Sequence, residues 1–128
     1  MLFIGNVFAA EEPATVYIDG EEADFTVSVL SLDGHIFVPL RPVFEAYRIN
    51  VSWDAKRKSV RALTQMGNLV IRIGSNYVCQ NDHVVYWLDA YPRIYQGATM
   101  IPMKFAGDCL GVDITYVDST NSLSLSAR

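Results

Sequence analysis

Few residues in this chain have the types and spacing to do chemistry. There are two histidines, His35 and His83, and two cysteines, Cys79 and Cys109. Metal-assisted hydrolysis needs imidazole, thiolate or carboxylate ligands gathered at short spacing, and neither histidine has a ligand partner at i+2 or i+4. Each histidine follows a turn and opens a strand, the setting of a solvent-exposed turn residue. Asp33, Asp54 and Asp118 are turn acids without the spacing of a calcium loop. A thiol nucleophile would need a base to activate it, and no local motif joins either cysteine to a histidine. Cys109 falls on an apolar helical position and reads as core. Cys79 and Cys109 allow a single disulfide pairing, and both the bridge and two free thiols are open. No glycine-rich phosphate loop occurs. The sequence predicts no catalytic residue, no metal and no cofactor.

Recognition is better represented. Tyr86, Trp87, Tyr91 and Tyr95 crowd one short region and are the candidates for ligand or partner binding. In the segment Val84–Leu88, Val84, Tyr86 and Leu88 alternate with Val85 and Trp87, so both faces of a strand there are apolar. Such a strand must be covered on both sides by the rest of the chain, a partner subunit or a ligand. Exposed aromatics suit a protein interface or a glycan.

The elements that position these residues are organised by a repeated stretch. Val38-Pro39-Leu40-Arg41 returns 63 residues later as Ile101-Pro102-Met103-Lys104. At the same spacing Glu45 matches Asp108, Ile49 matches Val112, and Trp53 matches Tyr116, with no gap. A shared fold unit explains such a match. In each copy a proline stops a strand and opens a short helix, where its missing N–H is not needed. Leu40, Val43, Phe44 and Tyr47 form the apolar stripe of the first helix, and Arg41 can pair with Glu45 one turn on. Trp53 and Tyr116 are expected in the core. The structural kernel is thus Pro39, Arg41, Glu45 and Trp53 with Pro102, Lys104, Asp108 and Tyr116.

Around this kernel the chain reads as short alternating strands. Phe25, Val27 and Val29 alternate with polar residues, as do Val112, Ile114 and Tyr116, and Leu123 with Leu125. Asp19-Gly20, Asp33-Gly34, Asn81-Asp82 and Gln96-Gly97 mark turns. The expected fold is α+β: two tandem repeats of a small antiparallel sheet, each wrapped on one short helix, packed as one body. Residues 15–74 would form the first repeat and 75–128 the second. Residues 1–14 read as a signal-peptide remnant or flexible arm, because an apolar run ends in small residues before Glu11-Glu12-Pro13.

Composition sets limits on partners. The 128 residues are 51% hydrophobic, enough for one domain, whereas a unit of roughly 60 residues alone would be marginal. The net charge of −4 argues against a nucleic-acid backbone binder. No stretch approaches the roughly 20 apolar residues of a membrane span.

The motif Val38-Pro39-Leu40-Arg41, Glu45-Ala46-Tyr47, Val51-Ser52-Trp53-Asp54, with its second copy, resembles the copper amine oxidase N-terminal-like domain family. The family pattern is roughly (V/I)P(L/M)R…EA(L)G…V.W, and it covers nearly all of the chain after Thr15. Arg48 stands where the family has glycine. The resemblance implies a stalk-type module in a secreted or cell-wall-associated protein of a Gram-positive-type bacterium. It does not imply oxidase activity, since copper and quinone belong to a separate catalytic domain in the namesake enzymes. The expected function is a non-catalytic module for protein contact or spacing, with a cell-wall carbohydrate-binding module as the alternative and an enzyme as the weakest reading. Expected partners are a protein, a cell-wall glycan or a second copy of the chain.

Overall fold

Turn chemistry sets the hairpins. The structure, a computed structural model, describes residues 12–128 together with the backbone of residues 2–4 and 7–9. Of the expected signal-peptide remnant or arm at 1–14, residues 1, 5, 6, 10 and 11 therefore lie outside the described residues. Four two-residue turns have positive φ at both central positions: Asp19-Gly20, Asp33-Gly34, Asn81-Asp82 and Gln96-Gly97. That is the signature of the type I′ turn, whose twist matches the strands it joins.

The chain runs β1 (Leu2–Ile4), β2 (Val7–Ala9), β3 (Ala14–Ile18), β4 (Glu21–Val27), β5 (Leu30–Leu32) and β6 (His35–Pro39) into α1 (Leu40–Glu45). Then follow β7 (Val51–Asp54), β8 (Ser59–Thr64), β9 (Gly67–Arg72), β10 (Tyr77–Gln80), β11 (His83–Trp87), β12 (Arg93–Tyr95) and β13 (Ala98–Pro102). The chain ends with α2 (Met103–Leu110), β14 (Val112–Val117) and β15 (Ser122–Ala127). Pro39 and Pro102 close β6 and β13 in extended backbone and cap the two helices. Leu40, Val43 and Phe44 are buried as the stripe requires.

The strands form three sheets: β1-β2-β5-β6-β13-β12, β11-β10-β9-β8-β7 and β14-β15-β3-β4. The fold is α+β, but its organisation differs from the expected one. Each sheet takes strands from both halves of the chain, so 15–74 and 75–128 do not form separate sheets. The link is not purely antiparallel either, because β15 pairs with β3 in parallel. Alternation specifies which face of a strand is buried and leaves its neighbour open. At the centre Val38 lies opposite Ile101, with Pro39 opposite Met100 and Phe37 opposite Pro102. Residues 63 apart in the chain thus meet across one ladder.

The main core joins both helices and all three sheets: Val38, Ile101, Phe44, Phe105, Leu69 and Leu123 are all buried in it. A second cluster, Leu30, Leu32, Phe37 and Met100, sits on the other face of the six-stranded sheet. The helices end differently. Gly111 closes α2 with φ 70°, and Arg48 takes φ 60° after α1. A non-glycine residue in that conformation costs about 1–2 kcal/mol, which the packing of α1 must offset. Among the described residues no helix is long and apolar enough to cross a membrane.

Candidate interaction site

Val84, Val85, Tyr86 and Trp87 are strand formers, and they build β11 behind the Asn81-Asp82 turn. Among the described residues β11 pairs only with β10 and is the last strand of its sheet. The register shifts between Val78 and Cys79, so one residue of β11 is extra. A bulge of this kind breaks the strict alternation of faces. As a result Val84 and Val85 are both open to solvent, at 44% and 41%, and Trp87 reaches 67%. Among the described residues the strand is therefore covered in part: Val84, Val85 and Trp87 stay open, while Tyr86 turns inward.

The four candidate aromatics do not form one site. Tyr86 is half-buried, its ring 4.9 Å from that of Phe105 at 57°. Its hydroxyl donates to Asp108 Oδ2, so Tyr86 ties the edge strand to α2. Trp87 stands edge-on to Tyr77, with 5.9 Å between centroids and 61° between planes. Tyr91 is exposed in the link between β11 and β12, and its carbonyl accepts a hydrogen bond from Arg93. Tyr95 packs on the second cluster, with its hydroxyl buried. Of the four, Trp87 and Tyr91 are the exposed ones. The sequence reading missed Val84 and Val85 as exposed edge residues. Their signal was present: β4, the last strand of the four-stranded sheet, carries Glu21, Glu22 and Asp24, whereas β11 carries no acid.

The kernel residues divide as well. Arg41 pairs with Glu45 at 3.6 Å on an exposed turn. Lys104 does not reproduce that pair. Asp108 instead holds Arg128 at 2.8 Å, and Arg128 also reaches Asp113 at 3.2 Å. Tyr116 is half-buried rather than core. Its hydroxyl donates to Asn121 Oδ1 at 2.8 Å, and the Asn121 amide binds the carbonyls of Glu12 and Pro13. Trp53 is also not core, being 44% exposed. It lies on β7, the outermost strand of its sheet, and lines a groove of about 600 Å³.

Burial works against the Asp108 carboxylate, but the Tyr86 hydroxyl and the Arg128 guanidinium outweigh it and hold its pKa below the usual value. The same burial and hydrogen bond push the Tyr86 hydroxyl well above its usual range. Because Asp108 titrates lower folded than unfolded, its stabilisation is complete above about pH 4 and fades as pH falls through the folded value. Asp108→Asn is expected to cost about 1–2 kcal/mol at neutral pH, the lower range for bonds to a charged group that keeps some contact with water. Urea denaturation of both proteins should show that difference at neutral pH and a much smaller one near about pH 2. A gap that stays constant with pH would refute the assignment.

The described residues assemble no nucleophile with a base. Burial raises the Cys109 thiol above its usual range, so it stays protonated inside the core. Cys79 and Cys109 are both free thiols. His35 opens β6 and His83 opens β11, in different sheets. Among the described residues no three of His, Cys, Asp and Glu come together. What the fold and the site define is a β-rich α+β domain whose described residues gather no metal-holding cluster.

That chain belongs to the copper amine oxidase N-terminal domain family, whose model matches residues 17–125. Comparison with curated proteins and with solved structures yields no match. Copper, named in the family's description, does not fit the residues present, since the two histidines lie in separate sheets and neither has two further ligands beside it.

Proposed function

We propose that this domain is a non-catalytic module of a secreted or cell-wall-associated protein of a Gram-positive-type bacterium, and that it makes protein contacts through β11. The observation that carries the reading is the open edge: an edge strand, paired on one side with β10, that shows Val84, Val85 and Trp87 to solvent. Natural proteins blunt such edges with charge, as β4 does here, so an apolar edge left bare suits a strand or apolar surface brought by another protein. A glycan platform needs flat, parallel rings. Trp87 and Tyr77 stand at 61° and do not make one. The repeated motif supports the module as a two-copy unit in which the kernels hold the frame and the differing segments carry the contact.

The test is a double variant, Val85→Lys with Trp87→Ser. Both side chains are exposed, so the melting temperature should stay within a few degrees of the parent. Retention of a partner from a cell-envelope extract should fall at least about tenfold, as loss of a tryptophan hot spot does. Undiminished retention, or retention on purified wall polysaccharide that the variant abolishes, would refute the protein-contact reading.

A further inference from the structure

The two ends of the six-stranded sheet are built alike and finished differently. β5 and β12 occupy residues 63 apart, as do β6 and β13. β6 and β13 pair about Val38 and Ile101, equivalent residues facing each other, which sets a local two-fold relation between the halves. β5 and β12 are therefore equivalent flanks. On β5 the chain adds its own strand: Val7, Phe8 and Ala9 pair antiparallel with Leu32, Ser31 and Leu30. On β12, among the described residues, the sheet stops.

The backbone at β12 is set out to receive a strand. In a two-residue hairpin the pair beside the turn exchanges hydrogen bonds and the next pair does not. Tyr95 and Ala98 flank the Gln96-Gly97 turn, and Ile94 and Thr99 are the next pair. The N–H and C=O of Ile94 thus point away from β13, as those of Ser31 point toward Phe8 on the other flank. Beside Ile94 runs the groove of about 600 Å³, walled by Pro39, Leu40, Val51, Trp53 and Ala98. Its lining is mainly apolar, with Arg41 and Thr99 as polar members, and Ile94 and Trp53 are each about half exposed. The edge supplies main-chain hydrogen bonds and the groove a seat for an alternate side chain, the two parts of strand addition.

We propose that the β12 edge is a strand-acceptor site, which takes an extended apolar segment of a partner protein as β5 takes Val7–Ala9. The site is separate from β11 and stands or falls without it.

The experiment titrates the full chain with a lysine-flanked Val-Phe-Ala peptide and follows amide hydrogen exchange. Saturable binding is expected, with protection at β12 and a change in Trp53 fluorescence read in a Trp87→Phe background. Ile94→Pro removes the outward N–H but no ladder bond, so it should weaken binding at least about tenfold with the fold retained. Trp53→Ala, which empties one wall of the groove, should weaken binding similarly and serves if the proline variant fails to fold. Lack of saturable binding overturns the proposal. Protection at β11 in place of β12 overturns it too while leaving the β11 contact standing. A concentration-dependent mass abolished by Ile94→Pro would make a second copy the occupant and would equally overturn it.

Discussion

Phe105→Ala is expected to lower the unfolding free energy by about 3–5 kcal/mol, the cost of deleting a fully buried phenylalanine ring. Phe105 is 1% exposed in the first turn of α2 and packs in the main core. Its loss leaves a cavity between α2 and the central ladder, and that ladder is fixed by the pairing of β6 with β13. The walls have little freedom to collapse, which places the cost high in the range. The ring also backs Tyr86, so the edge strand loses its support as well. Guanidinium denaturation reads the effect directly. Phe105→Leu should cost far less, and a loss below about 1 kcal/mol for the alanine variant would show that the core is organised otherwise.

Gly107→Ala should destabilise the protein by about 1–3 kcal/mol, against the sign that helix propensity gives. Gly107 lies inside α2, where alanine is ordinarily preferred by about 1 kcal/mol. A Cβ at that position would stand 2.8 Å from the carbonyl oxygen of Val112. That atom is backbone of β14, so relief requires moving the helix off the strand it feeds. The glycine is there for close approach. At the corresponding place in α1 the chain has Phe44, buried in the core, while Phe105 stands where α1 has Pro42. Each helix contributes one large ring from a different turn. A rise in denaturation midpoint for Gly107→Ala would refute the close-approach argument.

These contrasts show what could be seen in the sequence. The four I′ turns, the proline starts of both helices and the buried stripe of α1 are local, and they follow from residue type alone. The alternation of Leu123 with Leu125 correctly marks a buried face. Partnership was not legible, because no local rule says that β15 pairs with β3 or that β9 and β10 join the halves. Trp53 shows the same gap. Its apolar character and its match to Tyr116 point inward, but β7 became an outer strand and left it on a groove. Local spacing would look for the partner of Asp108 in Lys104, four residues earlier. Arg128, 20 residues away, reaches it instead because α2 and β15 flank the same strand, β14. Of the four aromatic candidates, the bulge bears on Tyr86 and Trp87, while Tyr95 turns inward onto a second core cluster that no local pattern announces.

The parallel pairing of β3 with β15 has a mechanical consequence. Thr15 lies beside Ser122 and Ile18 beside Leu125, so the first described strand after residue 12 runs alongside the last strand in the same direction. Tension applied before β3 and after β15 would drag the two strands past each other along their length. The bonds between them are then loaded together in shear, rather than opened one at a time from an end. Leu123 and Leu125 are buried beneath that seam, and sliding would also expose them. Resistance to pulling is a rate, governed by the barrier to unfolding, and this geometry raises that barrier for one direction of load. Loaded from those two ends, the domain would hold its shape against forces that its equilibrium stability alone does not describe.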